Sequence, residues 1–388
     1  MRTLTATVIS ALIVGSGALT TLAPAHAAAV KDPGQAIVDY WTPERLAAVK
    51  PLQAASLEGG VSPLSPPTLG EPRQIAPVPH PGATSNAQPS AAGVTPASGG
   101  WEADPQPWTG GGTIAGTVGR LVGVGEDGAG FVATANVVVS DKGNVVATAA
   151  HALVTPKGNK TTQLMFMPGW KEGQPEPPPY GKFPAVASFV PAPYILKDGN
   201  GKPTSVDYHY DTGFLIVAPA PDGRQVQQVV GAQGVKFNDV TRSDEHTFGF
   251  PSEATTPDLQ HCHGPNAEDR VWFLAFAMRC PVNSGSPWLR DFDPHTGVGY
   301  QMTVAALVNA SDKMMLGVAW GKDVEDAYNT ANTYAPEWSA GKQYAAGDLV
   351  TYSGRTYRCL QPHISQPGWE PANTPALWRR TDPGIALP

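Results

Sequence analysis

Short β-prone runs, each rich in branched and aromatic side chains and closed by Gly, Pro, Asp or Asn, fill the middle of the chain. The first set is Ile114–Val124, Gly130–Val139, Val145–Ala150, Leu164–Met167, Ala185–Val190 and Phe214–Val217. A second set follows Gly231: Val235–Phe237, His246–Phe250, Val271–Ala277, Tyr300–Val308 and Met315–Trp320. Strands this short with turn residues between them predict antiparallel sheets that close on themselves. Two groups of about six therefore predict two barrels, and Asp323–Asn332 reads as a helix closing the second.

The flanks have other textures. Met1–Ala27 has a basic start at Arg2, an apolar middle from Val8 to Leu22 and small residues at Ala25-His26-Ala27, the pattern of a secretory signal peptide. Its apolar run falls short of the ~20 residues a membrane span needs. An exported chain with no membrane association is expected. Gln35–Leu52 spaces Ile37, Val38, Trp41, Leu46, Val49 and Leu52 for a helix despite Pro43. That piece reads either as a propeptide that covers a cleft or assists folding, or as a structured linker. Gly59–Gly112 is dominated by Pro, Gly, Ser, Ala and Thr, and predicts a disordered or extended segment. After Pro336 aromatic residues recur through Trp338, Tyr344, Tyr352, Tyr357, Trp369 and Trp378, enough for a small three-stranded β module. The expected divisions are 1–27, 28–112, 113–333 and 336–380.

Composition agrees with an all-β chain carrying linkers. Charged residues are 15%, while 42 Gly and 40 Pro favour turns over long helices. A net charge of -7 argues against nucleic acid as a partner. Three cysteines leave one unpaired. Cys262 and Cys280 bracket a strand-like segment, and a disulfide between them contributes about 3 kcal/mol, leaving Cys359 as the odd thiol. Adjacent side chains at His261-Cys262-His263 cannot all face one ion, so no metal and no cofactor is expected.

The candidate chemistry centres on Cys280-Pro281-Val282-Asn283-Ser284-Gly285-Ser286-Pro287-Trp288. A serine among small residues on a tight turn can expose its hydroxyl while nearby N–H groups converge. The hydroxyl needs a base, which His151 at the end of Asn144–His151 can supply, and Asp211, running into Phe214–Val217, can hold the other ring nitrogen. Asp207 is the rival carboxylate. The order His, Asp, Ser, with Thr-Ala-Ala-His before the base and Asn-Ser-Gly-Ser-Pro around the nucleophile, resembles the chymotrypsin-like (trypsin-like) serine proteases. The nucleophile stretch is closest to the form seen in bacterial glutamyl-endopeptidase relatives. The resemblance covers about 113–333 and implies a double six-stranded antiparallel β-barrel, a site in the groove between barrels, and peptide hydrolysis through an acyl-enzyme.

The same resemblance places the oxyanion hole at the backbone N–H groups of Val282 and Ser284. The family has glycine where this chain has Val282, which leaves open a catalytically weak or inactive protease-like domain. Met278, where trypsin-like enzymes carry aspartate, argues against Lys/Arg specificity; Arg279 is a candidate contact for an acidic side chain. The strand ending near Asn309-Ala310 is the candidate track for an extended peptide. In the tail, Trp338, Tyr344-Ala345-Ala346-Gly347-Asp348-Leu349-Val350-Thr351-Tyr352-Ser353-Gly354-Arg355-Thr356-Tyr357, Gly368-Trp369-Glu370-Pro371 and Trp378 resemble the carbohydrate-binding modules (family 5/12-like) of bacterial chitinases. Chitin or a similar polysaccharide is then the second partner besides protein substrates. Trp369, Tyr352 and Trp338 are the candidate sugar-stacking rings, and Trp378, Tyr344 and Val350 the packing ones.

Overall fold

The computed structural model describes residues 33–52, 54–56, 68–82, 105–171, 178–241, 244–250, 258–265, 267–268, 275–278, 280, 282–309 and 314–381. The expected signal peptide Met1–Ala27, Arg279, Ala310 and the start of the Val271–Ala277 run lie outside them.

The first group of strands closes into a barrel. Gly130–Val137 pairs with Val118–Val124, which pairs with Thr162–Pro168, then Phe183–Phe189, Gly213–Val217 and Val145–Thr148. The last strand returns to the first through Asn136↔Ala147 and Val137↔Val146. Closure removes sheet edges, and the inward side chains fill the interior with Leu121, Phe166, Phe183 and Leu215, all fully buried. Where an eleven-residue strand was expected from Ile114, Ile114–Thr117 forms a helical turn before strand Val118–Val124 begins.

The second half is two sheets joined by one stretch of chain. One sheet orders Arg73–Ile75, Gly234–Phe237, Val298–Val304, Pro287–Asp293, Asp244–Gly249, Gln260–Pro265 and Gln106–Pro107; the other orders Ala267–Glu268, Ala275–Met278, Met314–Val318, Leu307–Asn309 and Ala55–Ser56. The expected strand Tyr300–Val308 is broken at Ala305 and Ala306, where the chain passes from one sheet to the other. Gln260–Pro265 and Pro287–Asp293 are strands that the apolar pattern did not mark, because His, Gly, Arg and Asp interrupt it. Within the second, Arg290 is buried yet paired, its Nε and Nη2 donating to Glu245 Oε1 at 3.1 and 2.9 Å.

Two described pieces of the segment expected to be disordered or extended are extended and packed. Arg73–Ile75 pairs antiparallel with Gly234–Phe237, and Pro107 sits on an edge strand, where a missing N–H costs no ladder bond. The amphipathic piece is not one helix. Pro33–Tyr40 and Pro43–Ala47 are separated at Trp41-Thr42, since proline disfavours helical geometry in the residue before it; Thr42 Oγ1 then caps the second helix by accepting from Arg45 N.

Aromatic rings join the halves. Phe214 of the barrel meets Trp320 and Tyr328 edge-on at 5.5 and 5.6 Å, and Trp320 stacks on Phe237 at 5.6 Å. Tyr328 belongs to the helix Lys322–Asn332, and its hydroxyl donates to Val139 O at 2.6 Å. The tail is a three-stranded sheet of Leu349–Tyr352, Arg355–Cys359 and Trp378–Arg380 around Tyr344, Val350, Tyr357 and Trp378. Its hairpin turns at Ser353-Gly354 with φ of 52° and 71°, as a two-residue turn of this hand requires.

Candidate active site

Strand register brings the base and the carboxylate together. Gly213 pairs with Thr148, so Asp211, two residues before one, and His151, three residues after the other, lie at the same end of the same ladder. His151 sits in the turn Ala150–Ala152 and Asp211 follows the turn Tyr208–Tyr210. Asp211 Oδ1 accepts from His151 N at 2.9 Å, and Oδ2 lies 2.7 Å from His151 Nδ1. With Nδ1 bearing the proton, Nε2 is left as a base. The Asp211 side chain is fully buried. Asp207 is engaged elsewhere, its Oδ1 lying 2.6 Å from His209 Nδ1.

Two tyrosines that the sequence gave no reason to single out stand around this carboxylate. Burial, and then the nearby Asp211 charge, push the phenols of Tyr194 and Tyr208 up, keeping both neutral. Thr212, the next residue, accepts from Trp320 Nε1 at 3.1 Å, which ties the Asp211 segment to the other half of the body.

The turn that carries Ser284, the candidate nucleophile, comes from the second half and is clamped by both. Thr134 N, on a barrel strand, donates to Ser284 O at 2.9 Å. Gly285 N donates to Ala305 O and Ala305 N to Ser286 O, at 2.7 and 2.8 Å. Ser286 Oγ closes the turn by donating to Asn283 O at 2.7 Å. Gly285 has φ of 85°, and a Cβ there would meet Thr134 O at 2.0 Å and Thr148 Oγ1 at 2.4 Å. Glycine is the residue that fits this contact between halves.

Ser284 Oγ and His151 Nε2 are both buried and, among the described residues, neither has a hydrogen-bond partner. The hydrogen bond between Ser284 Oγ and His151 Nε2 is therefore not made. Val282 N–H, one of the two expected oxyanion donors, donates to Cys280 O at 2.8 Å. No described carbonyl accepts from Ser284 N–H.

Cys262 and Cys280 form a disulfide that ties strand Gln260–Pro265 to the nucleophile segment. Cys359 is a buried free thiol. The histidines beside Cys262 do not converge on a point. His246 stacks on His263 at 4.1 Å and on His261 at 5.1 Å, with His246 Nδ1 2.9 Å from His261 Nε2. Burial, then the neighbouring imidazoles, holds His246 down to about 2 and His261 to about 4. Met278 is buried beside Cys280 and Val282, and Leu307–Asn309 is the strand on which Ala55–Ser56 lies.

In the tail, Tyr344, Val350 and Trp378 are buried. Trp338, Tyr352 and Trp369 are half-buried; Trp338 meets Tyr352 edge-on at 5.8 Å, and Trp369 lies 6.1 Å from His363.

Residues 337–379 match the model of carbohydrate-binding module family 5/12. Over 56 residues the chain is 54% identical to Chitinase A1 of Niallia circulans, which is 14% of this chain and 8% of that protein. Over 86 residues it is 44% identical to Streptogrisin-C of Streptomyces griseus, 22% of this chain and 19% of that protein. The chain thus spans less than a fifth of the length of these curated relatives. Among solved structures, protease Anisep from Arthrobacter nicotinovorans aligns with a TM-score of 0.50 and 26% identity, covering 59% of this chain and 100% of that one. The body has the fold of the chymotrypsin-like serine proteases, and it carries at its C-terminal end a carbohydrate-binding module of family 5/12.

Proposed function

We propose that the protein is an exported serine endopeptidase held on chitin or a similar polysaccharide by its C-terminal module. His151 Nε2 takes the proton of Ser284 Oγ as that oxygen attacks a peptide carbonyl. The imidazolium, stabilised by Asp211, returns the proton to the departing amine, and water then hydrolyses the acyl-enzyme in the same two steps. The N–H of Ser284 receives the developing oxyanion, joined by the N–H of Val282 once its bond to Cys280 O is released. The observation that carries this reading is the grip of Asp211 on both the backbone and the ring of His151, which leaves Nε2 as a base at the seam where Ser284 lies.

The module acts through aromatic stacking on sugar faces by Trp369, Tyr352 and Trp338, and tethering raises local concentration without altering the chemistry. A second reading, a chitin-binding protein with a weak or inactive protease-like domain, is favoured by the bond from Val282 N–H to Cys280 O. A fluorophosphonate probe separates the two. Labelling of the processed protein that disappears in Ser284→Ala and His151→Ala supports the peptidase; no labelling of the wild type supports the second reading. Retention of the full chain on chitin, undiminished in Trp369→Ala, would remove that ring from the binding face.

A further inference from the structure

A second buried carboxylate stands four residues before Asp211, and it too has an imidazole of its own. Asp207, His209, Tyr210 and Asp211 are all buried. The chain between the two carboxylates makes a single turn, Tyr208–Tyr210, which Asp207 starts. Asp207 Oδ1 accepts from His209 N at 3.0 Å and lies 2.6 Å from His209 Nδ1, while Asp207 O accepts from Tyr210 N at 3.1 Å. A carboxylate has no donor to offer, so His209 Nδ1 bears the proton in this contact. Behind the turn, Asp207 N donates to Tyr194 O at 2.8 Å, which ties it to the turn Ala192–Tyr194.

Asp211 stands in a tighter bend. Its φ and ψ are -76° and 58°, and Thr212 N donates to Tyr210 O at 2.7 Å, the form of an inverse γ-turn. One such turn is a weak constraint, so the aim of the carboxylate is set by how the chain is held on either side. Downstream it is held by Trp320 Nε1 on Thr212 Oγ1 and by the ladder pair Gly213↔Thr148. Upstream the last ladder pair is Val206↔Ile195, and from there to Asp211 the side-chain hold is the contact between Asp207 and His209.

We infer that Asp207 and His209 are positioning residues, a couple that sets the turn from which Asp211 is aimed at His151. This rests on the reading of the body as a serine endopeptidase. A buried carboxylate deprived of its partner has to move to water or to another donor, and either movement reaches Asp211 through one short turn. A shift of about 1 Å in a group that orients a reacting residue costs about 10²-fold in rate. The titratable groups around the two carboxylates are the imidazoles of His151 and His209 and three phenols. Burial pushes up Tyr194, Tyr208 and Tyr210, with Asp211 acting next on the first two and Asp323 and Asp207 on the third, so the phenols stay neutral where imidazoles titrate.

The test compares variants of the full chain in peptide hydrolysis across pH, with the folded fraction read from the thermal transition. His209→Ala and Asp207→Ala should each lower kcat about 10²-fold with KM within about twofold. The double variant should be no slower than either single one, because the pair acts as a unit. The acid limb of kcat/KM, set by His151, should move down by about one pH unit, since a misplaced Asp211 stabilises the imidazolium less. His209→Asn places an amide donor where Nδ1 stood and should recover most of the lost rate. Folded Ala variants with the wild-type kcat and acid limb, or a fall in rate that only follows the loss of folded protein, overturn the positioning role and leave the peptidase reading standing. A second measurement needs no variant: by NMR of the wild type, the Nδ1 protons of both His151 and His209 should resist exchange, and a His209 Nδ1 without a bound proton overturns the couple. Folded wild type that neither hydrolyses peptides nor takes a fluorophosphonate probe overturns the peptidase reading, and the positioning role with it.

Discussion

In the barrel, His151 and Asp211 are joined by two hydrogen bonds of 2.9 and 2.7 Å, and both stand at the end of one ladder whose register fixes them. In the second half, Ser284 Oγ has no partner among the described residues, and the neighbouring Val282 N–H donates to Cys280 O. The first arrangement is local to a closed sheet, where a one-residue slip would turn every inward side chain outward. The second depends on contacts between halves, Thr134 with Ser284 and Ala305 with Gly285, and on what lies in the seam. Pairing within a sheet yields a finished contact between His151 and Asp211, whereas docking of the halves leaves Ser284 Oγ unfinished, with no partner among the described residues.

The largest test of that contrast acts on the finished side. Asp211→Asn preserves the shape of the carboxylate but offers an amide to Nδ1, so kcat should fall about 10⁴-fold with little change in KM. A fall of less than tenfold on peptide substrates would show that the pair is not what drives the base. The next acts on the unfinished side. Val282→Gly removes the β-branch that restricts the backbone there, and a recovered oxyanion donor should raise kcat by about 10²-fold in single-turnover assays. No gain would mean that the bond to Cys280 O is not what limits the second half.

The smallest effect concerns stability. His246 and His261 are held at about 2 and about 4 in the fold, while unfolded imidazoles titrate near the ordinary value of 6.5. As pH falls from about 6.5 towards 4 the unfolded chain binds protons that the folded chain does not, so stability declines across that window and is fully present above it. The groups facing the stack are His263 and, at 3.8 Å from its Nε2, Asp244. His246→Phe places a ring beside Phe248 and Phe292 and should flatten the fall in Tm between pH 7 and pH 4. An unchanged slope would detach the acid response from the stack.

Much of the chemistry could be read from residue order. Asp211, unlike Asp207, runs directly into Phe214–Val217, and the ladder from Gly213 to Thr148 carries it to His151. Tyr194 and Tyr208 could not be found this way, since their place beside Asp211 arises from two turns that meet only in three dimensions. The strands Gln260–Pro265 and Pro287–Asp293 escaped because their polar residues are satisfied by partners far along the chain, as Arg290 is by Glu245.

Taken alone, the amino-acid order determined the all-β class, the pairing of Cys262 with Cys280 and the tail's match to a sugar-binding module. These are matters of local pattern and spacing, which one dimension preserves. Tertiary structure alone decided that the Val282 N–H turns to Cys280 O, that Arg73–Ile75 is a strand of the body and that Ala55–Ser56 lies on Leu307–Val308. Each of these depends on which backbone groups meet across long sequence separations, and an edge accepts any strand that reaches it in register.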